Sequence, residues 1–292
     1  MSQPIGGAGP LIEVAELDAL LRGDLTARPV VLDLRWQLNK RSKLPDYQHA
    51  HIPGAVFVEL ETAFSGPRQA GGSGGRHPMP GAQDVERAMR AAGVDDERLV
   101  VCYDRGDLLS AARAWWVLRY LGASAVRVLD GGFAAWTDAG LPVASVDEHA
   151  GRAGSFTAQP GSRRLLTADD VPAFAARRRL LDARTAGRYA GRGETVDPVA
   201  GHIPGALSVP AAAGLGTSGR MRDQQDLQAQ FAERGIATGD DVAVYCGSGV
   251  SACTVALALS AAGVTDDAAV YVGSWSDWIS EPSRPVATGS EP

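Results

Sequence analysis

Along the chain, short apolar runs alternate with longer stretches in which apolar residues recur every three or four positions. The runs Val30–Arg35, Val126–Leu129, Leu180–Arg184 and Ala269–Val272 are bounded by turn-forming residues and predict short strands. The three-to-four spacing predicts amphipathic helices over Ala82–Ala92 and Asp223–Arg234, and the Ala-rich stretch Ala252–Ala262 predicts another. Strands that alternate with helices imply an α/β fold, a mostly parallel sheet with helices on both faces.

The pattern occurs twice. VVLDLR at 30–35 pairs with RLLDAR at 179–184, and HIPGAVFVEL at 51–60 pairs with HIPGALSVP at 202–210. Asp104 stands 32 residues before Trp136, and Cys246 stands 32 residues before Trp278. Matched blocks at equal spacing predict a duplicated domain, with copies over 1–147 and 160–292. The joint is expected in the Gly/Ser/Pro/Gln stretch near 145–162, where apolar periodicity lapses.

Composition narrows the function classes. A chain of 292 residues suits two ordinary domains. A net charge of −6 argues against a nucleic-acid partner or an anionic membrane surface. The start, MSQPIGGAGP, has neither a basic segment nor an apolar one, so no secretory signal is expected. The run Ala252–Val264 is shorter than the about 20 residues a bilayer requires. Three cysteines, an odd number, do not suggest a disulfide framework and suit a reducing cytoplasm. With no C-x-x-C and no paired histidines, no metal site is expected.

The candidate chemistry lies in VAVYCGSGVSA, residues 242–252. Cys246 ends an apolar strand, and in open parallel sheets ligands bind beyond the carboxyl ends of strands. Gly247, Ser248, Gly249, Val250 and Ser251 are small enough for successive N–H groups to turn inward at the start of a helix. Such a cradle attracts negative charge and favours the nucleophilic thiolate at its centre. Cys246 is therefore the expected nucleophile toward an anionic substrate. Cys253, inside the next helix, and Cys102, within a strand, read as packing residues. A cysteine phosphatase is the weaker alternative, because such a loop ends in a phosphate-gripping Arg and Ala252 stands there instead.

With these residues the chain resembles the rhodanese superfamily, specifically its tandem-domain sulfurtransferases. The features that carry the resemblance are the duplication, HIPGA in both halves, the Cys246 loop and Asp104 at the matching point of the first half. The resemblance implies two rhodanese-like domains, the first catalytically silent because a carboxylate cannot carry sulfane sulfur. It implies that Cys246 takes sulfur from a small anionic donor as a persulfide and passes it to cyanide or a thiol acceptor, with no cofactor. The neutral loop favours 3-mercaptopyruvate over thiosulfate as donor. Arg188 matches one carboxylate-binding arginine, and Arg192 is the nearest candidate for a second, expected near Thr195. A proton relay through Ser248 and His51 is also implied. A sulfur-relay or redox-sensing module that acts on a sulfur-acceptor protein is the non-enzyme alternative.

Overall fold

In the computed structural model, residues 9–25, 27–145 and 153–292 are described. The start of the chain through residue 8, and residues 146–152 of the expected joint, lie outside them. The first half supplies strands β1 (Leu11–Ile12), β2 (Val30–Asp33), β3 (Val56–Phe57), β4 (Val100–Tyr103) and β5 (Val126–Leu129). Its helices are α1 (Val14–Arg22), α2 (Leu44–His49), α3 (Leu60–Ala63), α4 (Ala82–Ala91), α5 (Ser110–Tyr120) and α6 (Gly132–Asp138). The second half supplies β6 (Leu165–Leu166), β7 (Arg179–Asp182), β8 (Ala206–Ser208), β9 (Val242–Tyr245) and β10 (Ala269–Tyr271). Its helices are α7 (Val171–Ala175), α8 (Ala186–Tyr189), α9 (Gln224–Ala232), α10 (Ser251–Ala261) and α11 (Ser274–Trp278).

Each half forms one five-stranded sheet, β1-β5-β4-β2-β3 and β6-β10-β9-β7-β8, in which every pairing is parallel. The central strands β4 and β9 are buried at every residue, as expected of parallel strands covered on both faces. In α4, Val85 and Met89 fall one turn apart and fill the apolar stripe predicted for that helix. Helix α10 differs: eight of its eleven residues are buried, so its apolar surface runs all round rather than along one stripe.

The Asp-x-Arg that ends β2 and β7 is a structural clamp. Arg184 grips Asp182 through both Nε and Nη2, donates to Gly201 O at 2.6 Å, and lies over the Trp275 ring at 4.5 Å. Arg35 repeats this with Asp33, Ala50 O at 2.7 Å and the Phe133 ring at 4.5 Å. Both pairs are buried and each is hydrogen-bonded between its partners and to a backbone carbonyl, which offsets much of the cost of burying the charges; Arg184 Nη1 makes no hydrogen bond and lies 3.8 Å from Glu194 Oε2.

The two compact units do not coincide with the two sequence copies. The first comprises 1–64, 80–162 and 217–220; the second comprises 65–79, 163–216 and 221–292. The compact units depart from copies over 1–147 and 160–292 in three segments. Residues 154–162 remain with the first unit because Phe156 is buried there and Gly154, Phe156 and Gln159 donate backbone hydrogen bonds to Arg90, Val94 and Leu121. Residues 217–220 join it through Arg220, which pairs with Glu13 and Asp130. Residues 65–79 leave it: Gly74 N donates to Asp277 Oδ1 at 2.8 Å and Arg76 N to Ser276 Oγ at 3.0 Å. This last exchange decides the composition of the site.

Candidate functional site

Strand β9 delivers Cys246 to the carboxyl edge of the second sheet, and α10 begins five residues later. The loop between them folds back on the sulfur. Gly249 N and Ser248 N donate to Cys246 Sγ at 3.1 and 3.4 Å. The first N–H groups of α11 fix the loop from outside: Trp275 N donates to Cys246 O at 2.9 Å and Ser276 N to Gly247 O at 3.1 Å. Cys253, in the first turn of α10, donates its thiol to Gly249 O at 3.3 Å. Cys246 itself is only 2% exposed, so any substrate must come close to the loop backbone to meet the sulfur.

Two guanidinium groups border that approach. A Cβ at Gly247 would lie 2.9 Å from Arg76 Nη2 and 3.4 Å from Arg188 Nη1, so only glycine leaves them this close to the loop. Arg188 is placed by α8, whose first turn starts at Thr185, the residue that accepts the Arg188 N–H. Arg76 arrives on the 65–79 segment. Asp197 binds both, pairing with Arg76 and accepting from Arg188 Nη2 at 2.6 Å, while Glu194 accepts from Arg188 Nε at 2.8 Å. Burial works against Glu194 ionising. The Arg188 hydrogen bond and the backbone N–H groups of Val196 and Asp197 outweigh it and hold the carboxyl below its usual range.

The same segment brings His77, fully buried, to Ser248, with Nδ1 and Oγ 2.8 Å apart. A buried hydroxyl–imidazole pair one residue beyond the nucleophile's neighbour can accept and return a proton. The arrangement comprises a buried sulfur held by two N–H groups, a pair of cations and a proton carrier.

A family model for the rhodanese-like domain matches residues 13–139 and again 167–281. The chain belongs to the rhodanese family. Among curated rhodanese relatives, SseB of Mycobacterium tuberculosis, provisionally assigned as a thiosulfate sulfurtransferase, is 41% identical over 96% of this chain and 97% of its own length. A Pseudomonas aeruginosa protein, provisionally assigned as a 3-mercaptopyruvate sulfurtransferase, is 43% identical over 89% of this chain and 92% of its own. The crystal structure of SseA from Escherichia coli, described with the 3-mercaptopyruvate sulfotransferases, superposes with a TM-score of 0.79 at 31% identity, covering 92% of this chain and 99% of that one.

Against this rhodanese frame the expected site residues separate. The structure brings Cys246, the loop residues 247–251 and Arg188 together. Arg192 is not with them: its side chain is exposed, and its backbone N–H closes α8 by donating to Gly187 O. The second guanidinium belongs to Arg76 instead. His51 belongs to the first unit, where its surroundings are its own. It stacks on Tyr47 at 3.9 Å with Nδ1 2.7 Å from Tyr47 O, as His202 does on Tyr189 in the second unit. The same contact recurs in both units, and the histidine that meets Ser248 in the second unit is His77. The sequence signal missed was the 65–79 segment, SGPRQAGGSGGRHPM, where Arg-His follows the glycine-rich run that precedes the amphipathic helix.

Proposed function

We propose that the protein is a sulfurtransferase in which Cys246 carries the sulfur and 3-mercaptopyruvate is the preferred donor. The observation that carries the donor assignment is the pair of guanidinium groups, Arg76 and Arg188, against Gly247. Their charges are partly met by Asp197 and Glu194, and the loop itself has no charged side chain, so the approach suits one carboxylate rather than a dianion. The Cys246 thiolate attacks the donor sulfur. The donor's carbon–sulfur bond breaks, and its electrons leave as the enolate of pyruvate, which takes up a proton. Ser248 and His77 manage the proton traffic of this step. The persulfide left on Cys246 lies where the Ser248 and Gly249 N–H groups receive anionic sulfur. Cyanide or a thiolate then attacks the outer sulfur and releases Cys246 as thiolate. Thiosulfate as donor is the second reading, favoured by the Mycobacterium tuberculosis relative. The three cysteines are buried and form no disulfide, which supports a reducing cytoplasm as the compartment.

The test is thiocyanate formation from cyanide with each donor in turn, wild type beside Cys246→Ser. Turnover with 3-mercaptopyruvate well above that with thiosulfate, and none in Cys246→Ser, is the expected result. Comparable turnover by Cys246→Ser removes the persulfide route, and a preference for thiosulfate reverses the donor assignment.

A further inference from the structure

Ser274 is the first residue of α11, fully buried, and its backbone is left-handed with φ of 56°. It is one of three non-glycine residues with positive φ among the described residues, and the only one of the three touching the nucleophile. A side chain in that backbone region is unfavourable and persists only where the surroundings impose it. The first unit shows what the fold itself requires here. Asp104 precedes Gly132 by the same 28 residues that separate Cys246 from Ser274, and Gly132 has the same φ of 56°. There the position is glycine, and a Cβ would meet Asp104 O at 2.5 Å and Gly106 N at 2.7 Å. The second unit places a serine at the corresponding position and opens its loop enough to hold it.

The hydroxyl is fully used. Ser274 Oγ accepts the Cys246 N–H at 3.0 Å, donates to Tyr271 O at 2.9 Å and lies 4.0 Å from Cys246 Sγ. It thus ties the backbone of the nucleophile to the end of β10, while the next two N–H groups of α11 hold the carbonyls of Cys246 and Gly247. With Cys246 N, Cys246 O and Gly247 O all fixed, the sulfur has little freedom except to face the N–H groups of Ser248 and Gly249. Removing the hydroxyl would leave a buried N–H without its acceptor and release one of the three ties.

We infer that Ser274 is a positioning residue for Cys246, retained in a strained left-handed backbone because its hydroxyl aligns the sulfur with the N–H cradle of the 247–250 loop. The inference rests on the reading of Cys246 as the nucleophile, and its test does not require sulfur transfer. Ser274→Gly relieves the backbone while removing the hydroxyl, so the relief offsets part of the cost of the unpaired Cys246 N–H. Ser274→Ala removes the hydroxyl alone and keeps the Cβ.

The readout is the pH dependence of Cys246 alkylation by iodoacetamide, with Cys246→Ser giving the background from Cys102 and Cys253. Both variants are expected to alkylate about tenfold more slowly at neutral pH, with the midpoint of the profile moved up by about one pH unit. The kcat for thiocyanate formation falls by about tenfold, while KM for the donor stays within about twofold, because the cations that hold it are untouched. The melting temperature of Ser274→Gly is at least that of Ser274→Ala, which loses the same hydroxyl but keeps a Cβ in the left-handed backbone. Wild-type alkylation and an unmoved profile in Ser274→Gly overturn the inference. Wild-type behaviour in Ser274→Ala with loss in Ser274→Gly also overturns it, by assigning the effect to the Cβ. Should Cys246→Ser keep its turnover, the sulfur-transfer reading fails while the alkylation profiles still decide the role of Ser274.

Discussion

The loops after β4 and β9 are built on one plan and hold different things. In each, a buried four-residue strand leads through a tight loop to an eleven-residue helix. In each, the helix after the next strand donates two N–H groups back to the loop: Phe133 N to Asp104 O and Ala134 N to Arg105 O in the first unit, matching Trp275 and Ser276 in the second. What differs is the occupant of the cradle. The Asp104 carboxylate accepts from Gly106 N at 2.9 Å, Leu108 N at 3.2 Å and Ala111 N at 3.2 Å, so the inward N–H groups are consumed by a fixed side chain. Around Cys246 two N–H groups face a sulfur, which in the proposed function gains and loses a second sulfur. The fold supplies an anion cradle in both places. Reactivity comes from the residue inside it and from the side chains that only the second loop gathers: Ser274, Ser248 with His77, and the two arginines.

The sharpest way to break this comparison is to move the nucleophile. Asp104→Cys in a Cys246→Ser background places a thiol at the end of β4 but leaves a loop one residue longer than its counterpart, and glycine at 132. Thiocyanate formation should remain at least about a thousandfold below wild type, since catalytic groups that act as a unit are lost together. Recovery to within tenfold would show that the cradle alone suffices. A smaller effect is expected from Arg76→Ala and Arg188→Ala. A charge-assisted hydrogen bond to a carboxylate is worth about 1.5–3 kcal/mol, so each change should raise KM for 3-mercaptopyruvate by about 10- to 100-fold and change kcat little. A KM that moves for Arg188 and not for Arg76 would leave Arg76 as a partner of Asp197 only.

Much of this was legible in the chain because the signals were local. The periodicity gives the strands and helices, and the matched blocks give the duplication, since each depends on residues near one another in sequence. Cys246 is readable for the same reason: strand, glycine-rich turn and helix are contiguous. Arg76 and His77 were not, because they reach Gly247 and Ser248 across some 170 residues of chain on a segment that leaves its own repeat, and nothing in their neighbourhood encodes that exchange. Arg192 misled by proximity, since closeness in sequence to the expected position said nothing about the direction of its side chain. His51 shows the limit of a motif, because HIPGA places a histidine on a tyrosine in both units without saying what its other ring nitrogen does.

An effect on stability rather than turnover probes the loop after β4 itself. Burial, then the neighbouring Asp107 charge, pushes the Asp104 carboxyl up to about 6, while the N–H groups of Gly106, Ala111 and Leu108 pull it down without prevailing. Its ordinary value is 3.8, so the folded state holds this proton more tightly than the unfolded chain does. The stability contributed by protonated Asp104 is therefore complete below pH about 4 and is lost as the pH rises through about 6, amounting to an order of 3 kcal/mol for two units. Asp104→Asn does not titrate. Urea unfolding of the two proteins at pH 4.5 and pH 7.5 should show wild type losing ground to the variant at the higher pH, and Asp107→Asn should shift that loss toward higher stability by removing the repulsive charge. If the difference between wild type and Asp104→Asn is the same at both pH values, Asp104 is ionised throughout and its three N–H donors outweigh burial. The first loop would then be a fully satisfied anion site, differing from the second only in that its anion cannot leave.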